Sequence, residues 1–475
     1  MRKNDITVLD IGAVSNLGYG VGRIPEGEPD GGMVVFVPGA VSGDRVRAKI
    51  IKVTKSYCVA RLEGIIKESA EREPEPFCTA PASCGGCAYR FLKYDSELEL
   101  KRAAVAAEFR KAGLDGVNVL PVLCVRDADG TPRTRGCRNK AQYRFVMTKN
   151  GIRAGFYASG THRVAGYEDC SLHPEVFRDI AVWFCCRAER DGLTVYDEMT
   201  GKGLLRHVLV RRGFSTDEIM VVLVIGSPIF PSKNNFVKAL RKKYPQITTV
   251  VLNVNDKKTS MVLGERDIVI YGKGYIRDTL CGCTFRISPQ SFYQVNPVQT
   301  EILYKTAIEY AGLGRKETVI DAYCGIGTIG LVAAKRAKNV IGVELNPDAV
   351  RDARINAKEN KITNARFYQG DAGEFMENMA ENGEHADVVF MDPPRTGSDK
   401  KFMSSVIKLN PSRIVYISCG PETLARDLEY LTKHGYDVRK IQPVDMFSFT
   451  DHCENICLLT KKFEKQTKNQ NEYKY

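Results

Sequence analysis

No uninterrupted apolar run in these 475 residues approaches the roughly 20 that a helix needs to cross a bilayer. The opening Met1-Arg-Lys-Asn-Asp-Ile-Thr leads into glycine-rich sequence without the apolar core of an export signal. A cytoplasmic protein with no membrane partner is the expectation. Disulfide pairing is poorly provided for as well. The fifteen cysteines are an odd number in a chain without an export signal, so metal binding or catalysis is the better default. Acid is missing locally: residues 131–164 contain eight Lys or Arg and no Asp or Glu. What remains, 43% hydrophobic and 27% charged, is ordinary globular composition, and the length allows about two to four domains. The net charge of +12 favours a polyanionic partner without establishing one, because excess charge also serves solubility.

Residues 5–65 hold short β-type runs, among them Ile6-Thr-Val-Leu-Asp-Ile, Met33-Val-Val-Phe-Val and Arg45-Val-Arg-Ala-Lys-Ile-Ile-Lys-Val, separated by Gly and Pro turns. This spacing predicts a small β-barrel of about five strands over 1–65. Lys49, Lys52, Lys55 and Arg61, with Tyr19 and Tyr57 nearby, suit a groove for single-stranded nucleic acid, although a merely solvated basic face reads almost as well. Gly18-Tyr-Gly-Val-Gly and Val37-Pro-Gly-Ala-Val-Ser-Gly-Asp resemble the TRAM module, an RNA-binding barrel, and that resemblance favours RNA.

A joint rich in Pro and Glu (Glu71-Arg-Glu-Pro-Glu-Pro76) separates the barrel from Cys78-x5-Cys84-x2-Cys87, three thiols that can fold back around one centre. Cys170 is the expected fourth ligand. Four thiolates suit structural zinc or a cubane iron–sulfur cluster, and without the two-plus-two spacing of zinc ribbons the cluster is favoured. Residues 95–112 are rich in helix formers and end at Gly113. In the acid-free stretch, Tyr143, Phe145, Phe156 and Tyr157 lie between the cations, a pattern suited to phosphate contacts and base stacking on RNA. A second basic cluster, Arg206-His-Val-Leu-Val-Arg-Arg212, falls on β-type sequence. Residues 66–285 are therefore expected to form a mixed α+β domain for the substrate.

From residue 286 to 465 strands alternate with helical stretches, which predicts a parallel sheet with helices on both faces; residues 466–475 read as a polar tail. The strand from Thr318 runs into Gly325-Ile-Gly-Thr-Ile-Gly330, and the next ends at Glu344, whose carboxylate can take ribose hydroxyls. Asp371 ends a third unit, placed to meet an adenine amino group. Gly325, Gly327, Glu344 and Asp371 are thus candidate cofactor ligands. A nicotinamide-dependent oxidoreductase would share the first two features. It would not call for Asp392-Pro-Pro-Arg395, which resembles the acid-Pro-Pro turn of S-adenosylmethionine-dependent methyltransferases acting on bases, where Asp392 would hold the substrate base.

Ile414 to Ile417 reads as a buried strand ended by Gly420-Pro421, and it leaves Cys419 at the carboxyl end, where open α/β sheets keep their ligands. Alone, such a thiol is better taken as packing. With a methyl donor beside it, it acquires a role: a thiolate adding at C6 of a uracil makes C5 nucleophilic, and a base must then remove the C5 proton. Glu454 is the candidate base, with Asp451 and His452 as alternatives.

Ser288-Pro-Gln-Ser-Phe-Tyr-Gln-Val-Asn296, Asp321-Ala-Tyr-Cys-Gly-Ile-Gly-Thr, Asp392-Pro-Pro-Arg, Ser418-Cys-Gly-Pro and His452-Cys-Glu-Asn resemble the ordered motifs of the RNA uracil-5-methyltransferase family, in particular its bacterial 23S ribosomal RNA branch. The resemblance implies a Rossmann-like catalytic domain and a chain acting as a monomer on 23S ribosomal RNA. It makes Cys419 the nucleophile and Glu454 the base, and sets Gln294 and Asp392 between S-adenosylmethionine and the uracil. Tyr323 and Glu344 would line the cofactor site, and Cys78, Cys84, Cys87 and Cys170 would hold a [4Fe–4S] cluster. His452-Cys453-Glu454 departs mildly from the commoner His-hydrophobic-Glu. The competing readings are a transfer RNA uracil-5-methyltransferase, an RNA cytosine-5-methyltransferase and a non-catalytic RNA-binding assembly factor. A radical enzyme is disfavoured because the cluster cysteines lack its three-then-two spacing.

Overall fold

The computed structural model describes residues 1–75, 78–80, 84–158, 161, 163–165 and 169–462. The end of the joint at Pro76, part of the acid-free stretch and the tail 466–475 lie outside them. The first five strands are β1 (Ile6–Val14), β2 (Tyr19–Arg23), β3 (Val34–Pro38), β4 (Arg45–Val53) and β5 (Tyr57–Lys67). They close into a barrel in the order β1-β2-β3-β5-β4, which leaves no open edge. Alternation does the work: Leu9 and Ile11, Val35 and Val37, Val46 and Ala48 point inward and are buried, while their neighbours are half-buried or exposed. The last strand runs to Lys67, two residues past the expected boundary.

The middle of the chain contains α1 (Tyr94–Lys111), β6 (Lys140–Thr148), β7 (Gly151–Gly155), α2 (Glu175–Arg190), β8 (Leu205–Arg212), β9 (Ile219–Ile225), α3 (Lys233–Lys243), β10 (Ile247–Val254) and β11 (Arg266–Tyr271). The six strands form one sheet in the order β11-β10-β9-β8-β6-β7. Its central strand β9, Ile-Met-Val-Val-Leu-Val-Ile, is buried at every position, as a strand covered on both faces must be. This covering corrects one expectation. Tyr143 and Phe145 lie on β6 inside the sheet, fully or nearly fully buried, and Phe156 packs against the same core. Of the four aromatics assigned to base stacking, Tyr157 alone is exposed.

A hairpin of β12 (Ile276–Leu280) and β13 (Cys283–Ile287) leads into the last domain, so residue 286 falls inside a strand. There follow α4 (Pro297–Ala311), β14 (Thr318–Ala322), α5 (Thr328–Ala334), β15 (Asn339–Glu344), α6 (Pro347–Glu359), β16 (Ala365–Gln369), α7 (Ala372–Glu381), β17 (Val388–Met391), α8 (Lys400–Leu409), β18 (Arg413–Ser418), α9 (Pro421–Lys433), β19 (Tyr436–Val444) and β20 (Glu454–Lys461). The sheet order is β16-β15-β14-β17-β18-β20-β19. The first five strands are parallel, and β20 runs against β18 and β19. Sequence places β20 as the closing strand; the structure inserts it between β18 and the edge strand β19. That insertion brings Glu454 beside Cys419.

Candidate active site

Because β14 to β18 are parallel, their carboxyl ends share one edge of the sheet. The register aligns Ala322 with Val343 and with Met391, and Glu344 with Gln369. Tyr323, Glu344, Asp371, Asp392 and Cys419 all sit on or just beyond those ends. The antiparallel β20 starts at the same edge, with Glu454 as its first residue.

In the first half of this edge the chain turns sharply. Tyr323 (φ +64°), Gly325 (φ +53°) and Gly327 (φ +83°) are all left-handed, a conformation that costs a tyrosine more than a glycine. The two glycines do different jobs. A Cβ on Gly327 would stand 2.9 Å from the Phe367 ring, so this residue packs the loop onto β16. A Cβ on Gly325 would meet nothing within 4 Å, so its face is open to a ligand. The Gly325 and Asn346 backbone N–H groups donate to the two Glu344 carboxylate oxygens at 3.1 and 2.9 Å. Beneath the loop, Asp321 accepts from the Gly330 N–H at 2.7 Å, and burial pushes its carboxyl up to about 8, with Asp392 and Glu344 adding to the rise. Three carboxylates therefore share one small region. Such a field, above an open glycine face, fits a cationic nucleoside-like group such as S-adenosylmethionine. Asp371 caps α7 by accepting from the Glu374 N–H at 2.9 Å.

In the second half, Ser418 pairs with Asn455 across β18 and β20, and the Asn455 amide also donates to the Ser418 carbonyl at 3.3 Å. One step further in this register sets Cys419 opposite Glu454. Each electrostatic environment agrees. Burial pushes the Cys419 thiol up to about 11; Glu454 and Asp392 push it further, and Arg395 opposes them. Glu454 is buried and held up to about 8, first by burial and then by Asp392, again with Arg395 opposing. Burial raises Asp392 to about 7. Asp451 is exposed, and the half-buried His452 is held below its ordinary range by burial. Gln294 is buried in the segment between β13 and α4, where its backbone carbonyl accepts from the Asn139 side chain at 3.0 Å.

Two contributors escape sequence reading. Arg395 stands in the Asp-Pro-Pro-Arg motif, yet only the fold shows that its charge reaches both Cys419 and Glu454. The second is a buried network on α1. Lys101 donates to Glu97 at 2.6 Å, to Asp445 at 2.5 Å and to the Phe447 carbonyl at 3.1 Å. Ser448 donates to Asp445, and the Phe449 N–H donates to Glu97, both at 2.6 Å. This network anchors segment 445–450, which delivers Glu454 to the site. In sequence Glu97 and Lys101 look like an ordinary surface pair four residues apart.

The four cysteines expected to act together do share a field. Burial pushes Cys87 up to about 12, with Cys170, Cys78 and Cys84 adding and Arg138 opposing. Cys170 is raised to about 11, again first by burial, with Cys78 and Cys84 among its neighbours. In number and type these donors fit a thiolate-bound centre. Among the described residues, however, no three His, Cys, Asp or Glu close tightly enough to form a metal site. Cys87 and Cys170 pack with Cys124 and Cys137 against Tyr94, Leu98 and Phe449, under the anchored segment.

Comparison with known proteins bears on this arrangement. The family model described as tRNA (Uracil-5-)-methyltransferase matches residues 214–462, and the TRAM domain model matches residues 3–62. An uncharacterized RNA methyltransferase of Oceanobacillus iheyensis is 40% identical over 97% of this chain and 98% of its own length. One from Listeria innocua is 40% identical over 97% and 99%. Among solved structures, the tRNA (uracil-54, C5)-methyltransferase of Pyrococcus abyssi, in complex with S-adenosyl-L-homocysteine, is similar with a TM-score of 0.73 and 27% identity, covering 96% of this chain and 100% of that one.

Proposed function

The chain belongs to the RNA uracil-5-methyltransferase family, and from that premise we propose that it methylates C5 of a uridine in 23S ribosomal RNA. The observation that carries the reading is the β18–β20 register, whose last pair, Ser418 with Asn455, leaves Cys419 and Glu454 one step further on and within each other's field at the open end of the sheet. Cys419, as thiolate, adds to C6 of the uracil and moves electron density onto C5. S-adenosylmethionine, when bound, supplies the sulfonium methyl that C5 takes. Glu454 then removes the C5 proton, the C5–C6 double bond re-forms and the thiolate leaves. Asp392 hydrogen-bonds the ring and Gln294 borders it, while Tyr323, Gly325, Glu344 and Asp371 hold the methyl donor and Gly327 seats their loop against β16. Arg395 lowers the cost of ionising Cys419 and Glu454. The work is divided among a barrel over 1–65 and a substrate domain over 66–285, both gripping RNA, and a catalytic domain over 286–465. The enzyme acts as a monomer in the cytosol, a reducing compartment suited to a chain with fifteen cysteines.

Transfer RNA is the second reading, favoured by the likeness to the Pyrococcus abyssi enzyme. Methylation assays on 23S ribosomal RNA and on transfer RNA separate the two, and product mapped to transfer RNA alone would sink the first. Cys419→Ala should abolish 5-methyluridine while RNA binding survives. Glu454→Gln should leave a covalent protein–RNA adduct on a denaturing gel, because the proton that must leave before the thiol does is then retained. If the product is 5-methylcytosine, the uracil assignment fails. We assign Cys78, Cys84, Cys87 and Cys170 to a [4Fe–4S] cluster, supported by their shared field and by the packing of Cys87 and Cys170 against Phe449. Anaerobic preparations should be brown with about four irons per chain; colourless protein containing zinc would refute iron.

A further inference from the structure

On the middle sheet, away from Cys419, lies a cavity of about 460 Å³ that none of the roles above uses. Its size is that of a small-ligand pocket. His207, Tyr157, Tyr196 and Lys258 are among its lining residues. His207 is only 5% exposed, yet neither ring nitrogen has a hydrogen-bond partner. Burying an imidazole with nothing to bond costs free energy, and this one stands in the wall of the cavity with both nitrogens covered, so it gains partners by turning outward to a ligand. Burial, with Arg144 and Arg206 adding, holds this imidazole down to about 3, so it is neutral and offers one donor and one acceptor.

The walls are built rather than accidental. The Arg206 guanidinium lies 4.3 Å from the Tyr196 ring centre and donates to the carbonyls of Asn255 and Lys257 at 2.7 and 2.8 Å. The Asn255 amide in turn donates to the Met261 carbonyl at 2.8 Å, which shapes the loop carrying Lys258. Arg144 bonds the Tyr196 carbonyl at 3.2 Å and pairs with Glu198 at the rim. The cavity is thus cationic and aromatic, with one acid already paired.

Its place on the strand supplies the ligand. Side chains alternate along β8, so His207, Leu209 and Arg211 share one face. Leu209 packs into the catalytic domain's core, and Arg211 donates to the Ser288 and Ser291 carbonyls at 3.2 and 3.1 Å, in the segment that carries Gln294. His207 lies four residues, or about 13 Å, back along the same strand. We propose that this cavity takes one unstacked nucleotide of the RNA whose uridine reaches Cys419, a reading that rests on the RNA methyltransferase function above. The imidazole, once turned outward, reads the base edge, Tyr157 gives the base an aromatic face, and Lys258 meets the phosphate.

The test uses the full chain labelled with 2-¹³C-histidine, titrated separately with AMP, GMP, CMP, UMP and ribosomal RNA. The His207 signal, identified by its loss in His207→Phe, should move with RNA and with at least one mononucleotide. In methylation assays His207→Phe should raise KM for RNA about tenfold with kcat changed less than about twofold, and His207→Asn should recover part of the loss. Lys258→Ala, an exposed change that does not threaten the fold, should raise KM about threefold. An unmoved His207 signal with unchanged KM overturns the proposal; so does movement with mononucleotides alone while KM for RNA stays put. If the wild-type protein methylates no RNA, the functional premise fails, while the titration still reports on the cavity.

Discussion

Burial holds Glu454 up to about 8 and Asp392 up to about 7, and the base role proposed for Glu454 requires its ionised form. kcat/KM should therefore climb with pH through this range. Arg395 pulls both Glu454 and Cys419 downward, so Arg395→Gln should shift the rising limb to higher pH and cut activity at pH 7 several-fold. A pH–rate profile with an unmoved midpoint would remove Arg395 from the mechanism. The same shift has a sign in stability. Glu454 is raised in the folded state above its unfolded value of 4.5, so its contribution is complete below about 4.5 and lost as pH rises through about 8. Glu454→Gln cannot ionise, so it should melt above wild type at pH 9, and thermal melts at pH 4.5 should show that difference closing.

The helix α1 illustrates how an element can serve a site it does not enter. Its buried stripe is Tyr94, Glu97, Leu98, Lys101, Val105 and Phe109, and two of those six are charged. Removing Lys101 would leave Glu97 and Asp445 facing each other without a cation. Burial already holds Glu97 up to about 8, with Asp445 adding and Lys101 opposing. Lys101→Met should cost about 3–5 kcal/mol in denaturant unfolding, because it strands buried carboxylates. It should also lower single-turnover methylation by loosening segment 445–450. Stability lost with full activity retained would show that the network holds the fold and not the site.

Across the whole molecule, a net charge of +12 and the exposed Lys52, Lys55 and Arg61 of the barrel fit a surface that binds phosphates. Displacing condensed cations makes such binding salt-dependent. KM for RNA should rise about tenfold or more between 50 and 200 mM salt, while KM for S-adenosylmethionine should hardly change. A flat salt response for RNA would mean that base contacts, not phosphates, carry the affinity.

The glycine turn, the Asp-Pro-Pro turn and the strand-end cysteine were legible in the sequence because each is local: its spacing alone specifies a strand, a turn and a chemical group. The barrel was legible because alternation and Gly turns are local too. Tyr143 and Phe145 misled, since an aromatic between cations reads the same whether its strand is covered or bare. Glu97, Lys101 and His207 were illegible because a charge or an imidazole declares its role only through partners remote in sequence. For Arg395 the motif was visible and the reach of its charge was not. Sequence by itself determined the order of elements and which groups end each strand, because backbone sterics and side-chain period act over a few residues. Only the tertiary structure decided that β20 enters between β18 and β19, since strand order is set by packing across the whole sheet, and that insertion alone puts Glu454 opposite Cys419.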